Sequence, residues 1–81
     1  MRSYEEVSVQ SQVAAVMESV LLVPVPATGL SRLDEPQWDS LRHIELALFL
    51  EESFDVRFSA EEISSMTSSG VIVELIEAKR S

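Results

Sequence analysis

The chain has 81 residues, with 14 acidic side chains, 6 basic side chains and no cysteine. A chain this short buries only about 60–65% of its unfolded surface, so we expect one domain over residues 1–81 and little room for catalytic machinery. A formal net charge of −8 repels nucleic acids and anionic membranes, so we expect neither as a partner and expect proteins with basic patches instead. The lack of cysteine excludes disulfide and thiolate metal sites.

The first predicted helix covers about residues 4–22. Ser3 and Glu6 match a capping box, and apolar residues then recur at helical spacing. Pro24 and Pro26 predict the end of this helix, because proline lacks the amide hydrogen that a helix interior needs. The apolar stretch around these prolines is too short and too broken to span a membrane, so we expect a soluble, cytoplasmic protein.

Residues 24–37 contain all three prolines and predict a long loop between the first two helices. Loops of this length are uncommon in small domains unless inward side chains hold them, and Leu30 and Leu33 are the candidates. Helical spacing of apolar residues returns over 41–54. The apolar positions of this second helix cover most of its circumference, which predicts a central helix that also offers part of its surface to a partner.

Two further helices are predicted in the last third of the chain. Ser59 and Glu62 match a second capping box, which predicts a short third helix ending near Met66. The segment 70–80 has helical spacing, and a lone strand there would have nothing to pair with. The whole pattern predicts an all-α domain of four helices, with a Ser68 or Ser69 cap on the last helix and with Lys79 and Arg80 at the negative end of its dipole.

Ser40 follows Asp39 directly before the second helix and has three possible roles. Asp and Ser are both preferred helix caps, so the pair can be purely structural. A nucleophilic role with His43, three residues further on, is not expected, because a hydrolase serine needs a glycine-flanked strained turn, an oxyanion hole and an acid to orient the histidine. We therefore interpret His43 as a surface residue and expect no enzyme. The third role is the attachment of a prosthetic group.

Five stretches support attachment: DSL, IEL, LEESFDV, FSAEEI and MTSSGVIVELI. In this order and spacing they resemble an acyl carrier protein, over 33–76 without a gap, and the first helix fits the same plan. The resemblance implies a four-helix bundle in which a phosphopantetheinyl transferase attaches 4′-phosphopantetheine to Ser40 through a phosphodiester. Asp39 would assist the transfer near the magnesium of that enzyme. The protein would then carry acyl groups as thioesters for partner enzymes in a dedicated fatty-acid, polyketide or specialised-metabolite pathway.

The resemblance also implies a docking face for acyl-transferring or acyl-activating enzymes that have basic patches, and a monomeric carrier. Trp38, Arg42 and His43 depart from the family pattern: a glycine commonly stands one residue before Trp38, and Arg42 and His43 place positive charge in a first turn that is often acidic in the family. From this charge we infer a dedicated set of partner enzymes. We place Trp38 as a hydrophobic staple at the helix entrance or as a residue that touches the arm. The predicted docking residues are Leu41, Ile44, Glu45, Leu48, Glu51, Glu52, Arg42 and Trp38, and Ala47, Leu50 and Phe54 are expected to face the core.

Two alternatives to an acyl carrier remain at the level of sequence. A peptidyl or aminoacyl carrier would use the same serine, but that class tends towards glycines before the motif and a less acidic surface. A helical adaptor would bind a protein through its second helix and carry no prosthetic group. The adaptor hypothesis predicts that replacing Ser40 by alanine leaves function intact.

Overall fold

The computed structural model describes residues 8–80, and within this range the ordered elements are helical. The predicted all-α class and the number of helices are confirmed for the described residues. The elements are α1 (Val9–Leu21), a 3₁₀ turn (Arg32–Asp34), α2 (Ser40–Phe54), α3 (Ala60–Ser64) and α4 (Ser69–Arg80). Within residues 8–80, none of these helices has the length and apolar composition that crossing a bilayer requires.

Helix α1 begins later than predicted. Ser8 has an extended backbone, with φ −72° and ψ 157°, and its Oγ accepts a hydrogen bond from the Ser11 amide at 3.0 Å. A side-chain cap of this kind satisfies an amide of the first turn, so the helix starts at Val9. The prediction of a continuous helix from residue 4 is therefore wrong at Ser8, and the predicted capping box at Ser3 lies outside the described residues.

Helices α1 and α2 both end on a non-glycine residue in the left-handed conformation. Leu22 has φ 61° and Asp55 has φ 55°, and their amides donate to the carbonyls of Glu18 and Glu51. Asp tolerates this conformation better than Leu, for which it costs roughly 1–2 kcal/mol. The end of α1 agrees with the sequence prediction.

The core lies where α1 packs against α2 and α4. In α1, α2 and α4, every third or fourth residue points inward, as the apolar spacing predicts. The side chains of Ala47, Leu50 and Phe54 are buried, which confirms their predicted inward direction. The buried apolar set is Val13, Met17, Leu21, Trp38, Leu46, Ala47, Leu50, Phe54, Phe58, Met66, Ile72 and Ile76.

The long loop is held by its backbone and by one leucine instead of two. Leu30 packs against the core as predicted, but Leu33 is 95% exposed, so its predicted inward direction is wrong. The amide of Leu30 donates to Ser69 Oγ, and the amide of Ser69 donates to the Leu30 carbonyl, both at 2.9 Å. The amide of Arg32 donates to the Thr67 carbonyl at 2.9 Å. This short antiparallel contact fixes the loop against the connection between α3 and α4 and turns Leu33 outward.

Gly29 allows the close approach between this loop and the start of α4. Its φ of +97° lies in a region that residues with a side chain adopt only with backbone strain. A Cβ at this position would also lie 2.9 Å from Ser69 Oγ. A side chain here would therefore displace the hydroxyl that the Leu30 amide binds.

The caps of α3 and α4 follow the sequence prediction. The Glu62 amide donates to Ser59 Oγ at 3.1 Å, and the Ser59 amide donates to Glu62 Oε1 at 2.8 Å, which confirms the capping box. Ser68 Oγ accepts a hydrogen bond from the Val71 amide at 3.2 Å and so caps α4. The helical prediction for the last segment is confirmed.

Glu62 joins the two last helices and predicts a pH dependence of stability. Lys79 Nζ lies 2.9 Å from Glu62 Oε1, and this contact, followed by the Ser59 amide, lowers the pKa of Glu62 below its ordinary value of 4.5. A lowered folded-state pKa stabilises the fold above pH 4.5, and this contribution is lost as the pH falls through the folded pKa. We therefore expect Glu62→Gln to be less stable than the wild type at about pH 7, with the difference shrinking at about pH 3 and in high salt.

Urea midpoints at the two pH values measure this difference. Glu61→Gln is the matched control, because no described residue binds the Glu61 carboxylate. A constant gap between Glu62→Gln and the wild type at both pH values contradicts the prediction.

Candidate functional site

Ser40 is the first residue of α2 and is exposed to solvent. The cap of the helix is the preceding residue, Asp39, whose Oδ1 accepts a hydrogen bond from the Arg42 amide at 2.9 Å. No atom among the described residues hydrogen-bonds to the Ser40 hydroxyl. The sequence allowed either Asp39 or Ser40 to cap α2. Because Asp39 is the cap, the hydroxyl of Ser40 is free to react.

The electrostatic environment of Ser40 suits a bound phosphate. The first amides of a helix carry partial positive charge and lack partners within the helix, so an anion at this end is stabilised. The first turn of α2 contains no acidic side chain, and the one carboxylate beside it belongs to the cap, Asp39, which accepts the Arg42 amide. The residues at this position therefore fit a phosphodiester on Ser40 Oγ.

His43 lies in the core, and its predicted surface position is wrong. Its side chain is 5% exposed and its Nδ1 accepts a hydrogen bond from Trp38 Nε1 at 2.9 Å. Its Nε2 lies 2.7 Å from the carbonyl oxygen of Ile63. Because the indole N–H can only donate, Nδ1 must accept and Nε2 must donate, which is a neutral tautomer. The buried polar groups of Trp38 and His43 satisfy each other, and this allows both residues to enter the core.

The structure does not join Ser40 and His43 into a catalytic pair. Both ring nitrogens of His43 are engaged, by the Trp38 indole and by the Ile63 carbonyl. Neither nitrogen is free to take the proton of the Ser40 hydroxyl. The buried histidine also does not belong to the surface of the first turn, contrary to the expectation from sequence.

Trp38 and Arg42 have contacts inside the protein. Trp38 is 2% exposed, so its role is packing at the entrance of α2, and we leave it out of the docking surface. Arg42 is partly buried, and its Nη1 donates to the carbonyl of Leu21 at 3.4 Å. A cation at this point offsets the negative end of the α1 dipole.

An exposed apolar strip follows Ser40 along α2. Leu41, Ile44 and Leu48 are 69%, 52% and 57% exposed. Large apolar side chains this exposed on one helix face are typical of interaction surfaces. Among the predicted acidic residues Glu45 and Glu52 are exposed, whereas Glu51 is partly buried and its Oε2 accepts a hydrogen bond from the Phe58 amide at 2.9 Å.

Sequence reasoning missed two features near this site. Phe49 is 52% exposed and lines a groove with Val16 and Val20 of α1, a contact that its helical spacing alone does not reveal. Arg32 lines a cleft of about 560 Å³ beside Trp38, between the long loop and the connection between α3 and α4. The sequence could have drawn attention to Arg32, because it is the only basic residue between positions 3 and 41.

No protein-family model and no curated protein sequence matches this chain. The evidence for function therefore lies in the motif residues and in the geometry of the site.

Proposed function

We propose that this chain is a carrier protein that holds acyl groups as thioesters on a 4′-phosphopantetheine arm attached to Ser40 and delivers them to partner enzymes. The observation that supports this proposal most strongly is the free, exposed hydroxyl of Ser40 at the N-terminus of α2. The cap of α2 is Asp39, so the Ser40 hydroxyl is not needed to cap the helix. When bound, the arm supplies a thiol, which the cysteine-free chain lacks.

The attachment is a phosphoryl transfer from coenzyme A to Ser40. Ser40 Oγ forms an O–P bond with the phosphate that bears the pantetheine, the pyrophosphate P–O bond breaks, and adenosine bisphosphate leaves. The hydroxyl proton passes to a base of the transferase. On this chain, the first-turn amides of α2 that Asp39 does not bind would stabilise the phosphodiester, and Asp39 would assist the transfer near the magnesium of the transferase.

Partner enzymes dock on the apolar strip beside the attachment residue. Leu41, Ile44 and Leu48 offer apolar surface, and the exposed carboxylates of Glu45 and Glu52 lie on the same helix. Together with the net charge of −8, this surface attracts partners with basic patches. Catalysis then belongs to the partners, and the carrier supplies recognition and delivery.

Incubation of the protein with coenzyme A and a broad-specificity phosphopantetheinyl transferase tests the proposal. We expect the intact mass to rise by one phosphopantetheine group per chain. Coenzyme A without the transferase is the control and leaves the mass unchanged. An unchanged mass with an active transferase and a validated carrier as positive control contradicts the proposal and favours an adaptor without a prosthetic group.

A further inference from the structure

A cleft of about 560 Å³ lies beside the start of α2. This volume is within the range of small-molecule sites, about 300–1,000 Å³. The backbone contact between Arg32 and Thr67 and the bridge between Ser31 and Ser68 hold its two walls together, so the cleft is already formed. The lining residues are Ser31, Arg32, Leu33, Trp38, Thr67 and Ser68.

Arg32 is a partly buried cation without a carboxylate partner among the described residues. Its Nε donates to the Trp38 carbonyl at 3.4 Å, and neither of its Nη atoms has a hydrogen-bond partner within residues 8–80. The planar guanidinium of an arginine binds a carboxylate or phosphate through two parallel hydrogen bonds. The unused donors of Arg32 therefore point to an anionic ligand.

The other walls of the cleft suit a short aliphatic chain with a polar end. Leu33 and Trp38 both line the cleft and contribute apolar surface to it. The hydroxyls of Ser31 and Thr67 have no partner among the described residues and offer further hydrogen bonds. An exposed leucine beside an unpaired arginine matches a ligand that has methylene groups and a terminal anion.

We propose that this cleft holds the free carboxylate of a dicarboxylic acyl group, and that Arg32 makes the carrier specific for such cargo. This inference rests on the proposed attachment at Ser40. Trp38 precedes Ser40 by two residues, so the cleft begins within about 7 Å of the attachment residue along the chain. The phosphate of the arm is the other possible anion, but Ser40, to which it would be bonded, does not line the cleft.

The single tryptophan gives a direct readout of the cleft, because only one indole N–H signal appears in an NMR spectrum of the ¹⁵N-labelled protein. The transferase loads the apo protein with coenzyme A, valeryl-CoA or glutaryl-CoA, and intact mass confirms each form. Valeryl and glutaryl groups have the same chain length and differ by the terminal carboxylate. The same forms are prepared for Arg32→Gln and for Arg57→Gln, a control at an exposed arginine outside the cleft.

We expect the glutaryl form to shift the Trp38 indole signal several-fold more than the valeryl form, in the wild type and in Arg57→Gln but not in Arg32→Gln. Equal shifts for the two acyl forms overturn the inference and leave the proposed function intact. A full shift in the form that carries the arm without an acyl group means that Arg32 binds the phosphate, and this also overturns the assignment to cargo. No mass increase in any form contradicts the proposed function and the inference together.

Discussion

Ser40→Ala is expected to abolish the attachment of phosphopantetheine while lowering the free energy of unfolding by less than about 0.5 kcal/mol. The loss of attachment follows because the substitution removes the only atom to which the arm binds in our proposal. The small effect on stability follows because the Ser40 hydroxyl is exposed and Asp39 caps the helix. Intact mass after loading and urea unfolding measure the two effects.

Two matched variants separate attachment from capping. Asp39→Ala removes the oxygen that binds the Arg42 amide and should cost about 1 kcal/mol of stability. Ser53→Ala changes another exposed serine of α2 and should leave both stability and loading unchanged. Full loading of Ser40→Ala would place the attachment elsewhere, and a loss of stability larger than that of Asp39→Ala would mean that the hydroxyl is structural.

His43→Leu is expected to lower the free energy of unfolding by about 1–3 kcal/mol, which is the cost of one buried polar group left without a partner. The substitution leaves one such group, the Trp38 indole N–H, because the Ile63 carbonyl still accepts a hydrogen bond from the Met66 amide. Leucine is apolar and fills much of the space of the imidazole ring, so the loss measures hydrogen bonding more than volume. Urea unfolding followed by far-UV circular dichroism gives the value.

A double-mutant cycle with Trp38→Phe tests the origin of this loss. Trp38→Phe removes the indole N–H, so the group that His43→Leu leaves unsatisfied no longer exists in the double variant. The double variant should therefore lose less than the sum of the single variants, by about 1–2 kcal/mol. Strict additivity, or a His43→Leu variant as stable as the wild type, contradicts the assigned network.

The helices were predictable from the sequence because local patterns determine them. Apolar spacing and proline placed the end of α1, and the capping box at Ser59 and Glu62 placed α3. The start of α1 was misplaced because Ser3 and Ser8 both offer a cap, and spacing alone does not choose between them. The exposure of Ser40 also followed from its place at a helix start.

The errors concern residues whose environment depends on contacts between distant segments. His43 is polar and stands in a first turn, yet Trp38 and Ile63 give it the two partners that make burial possible. Leu33 looks like a core residue, yet the backbone contact between Arg32 and Thr67 turns it outward. Neither contact leaves a periodic signal, and the cleft beside Arg32 was missed for the same reason.

Locating the residue that carries the arm tests most directly whether Ser40 is the attachment residue, and the sequence allows a tryptic digest to do so. Trypsin cuts after Arg32 and Arg42 and releases the peptide 33–42, in which Ser40 is the only residue with a hydroxyl side chain. After loading, tandem mass spectrometry should find the added phosphopantetheine mass on this peptide alone. The added mass on any other peptide, or on none in a protein that an active transferase has processed, contradicts the claim that Ser40 is the attachment residue.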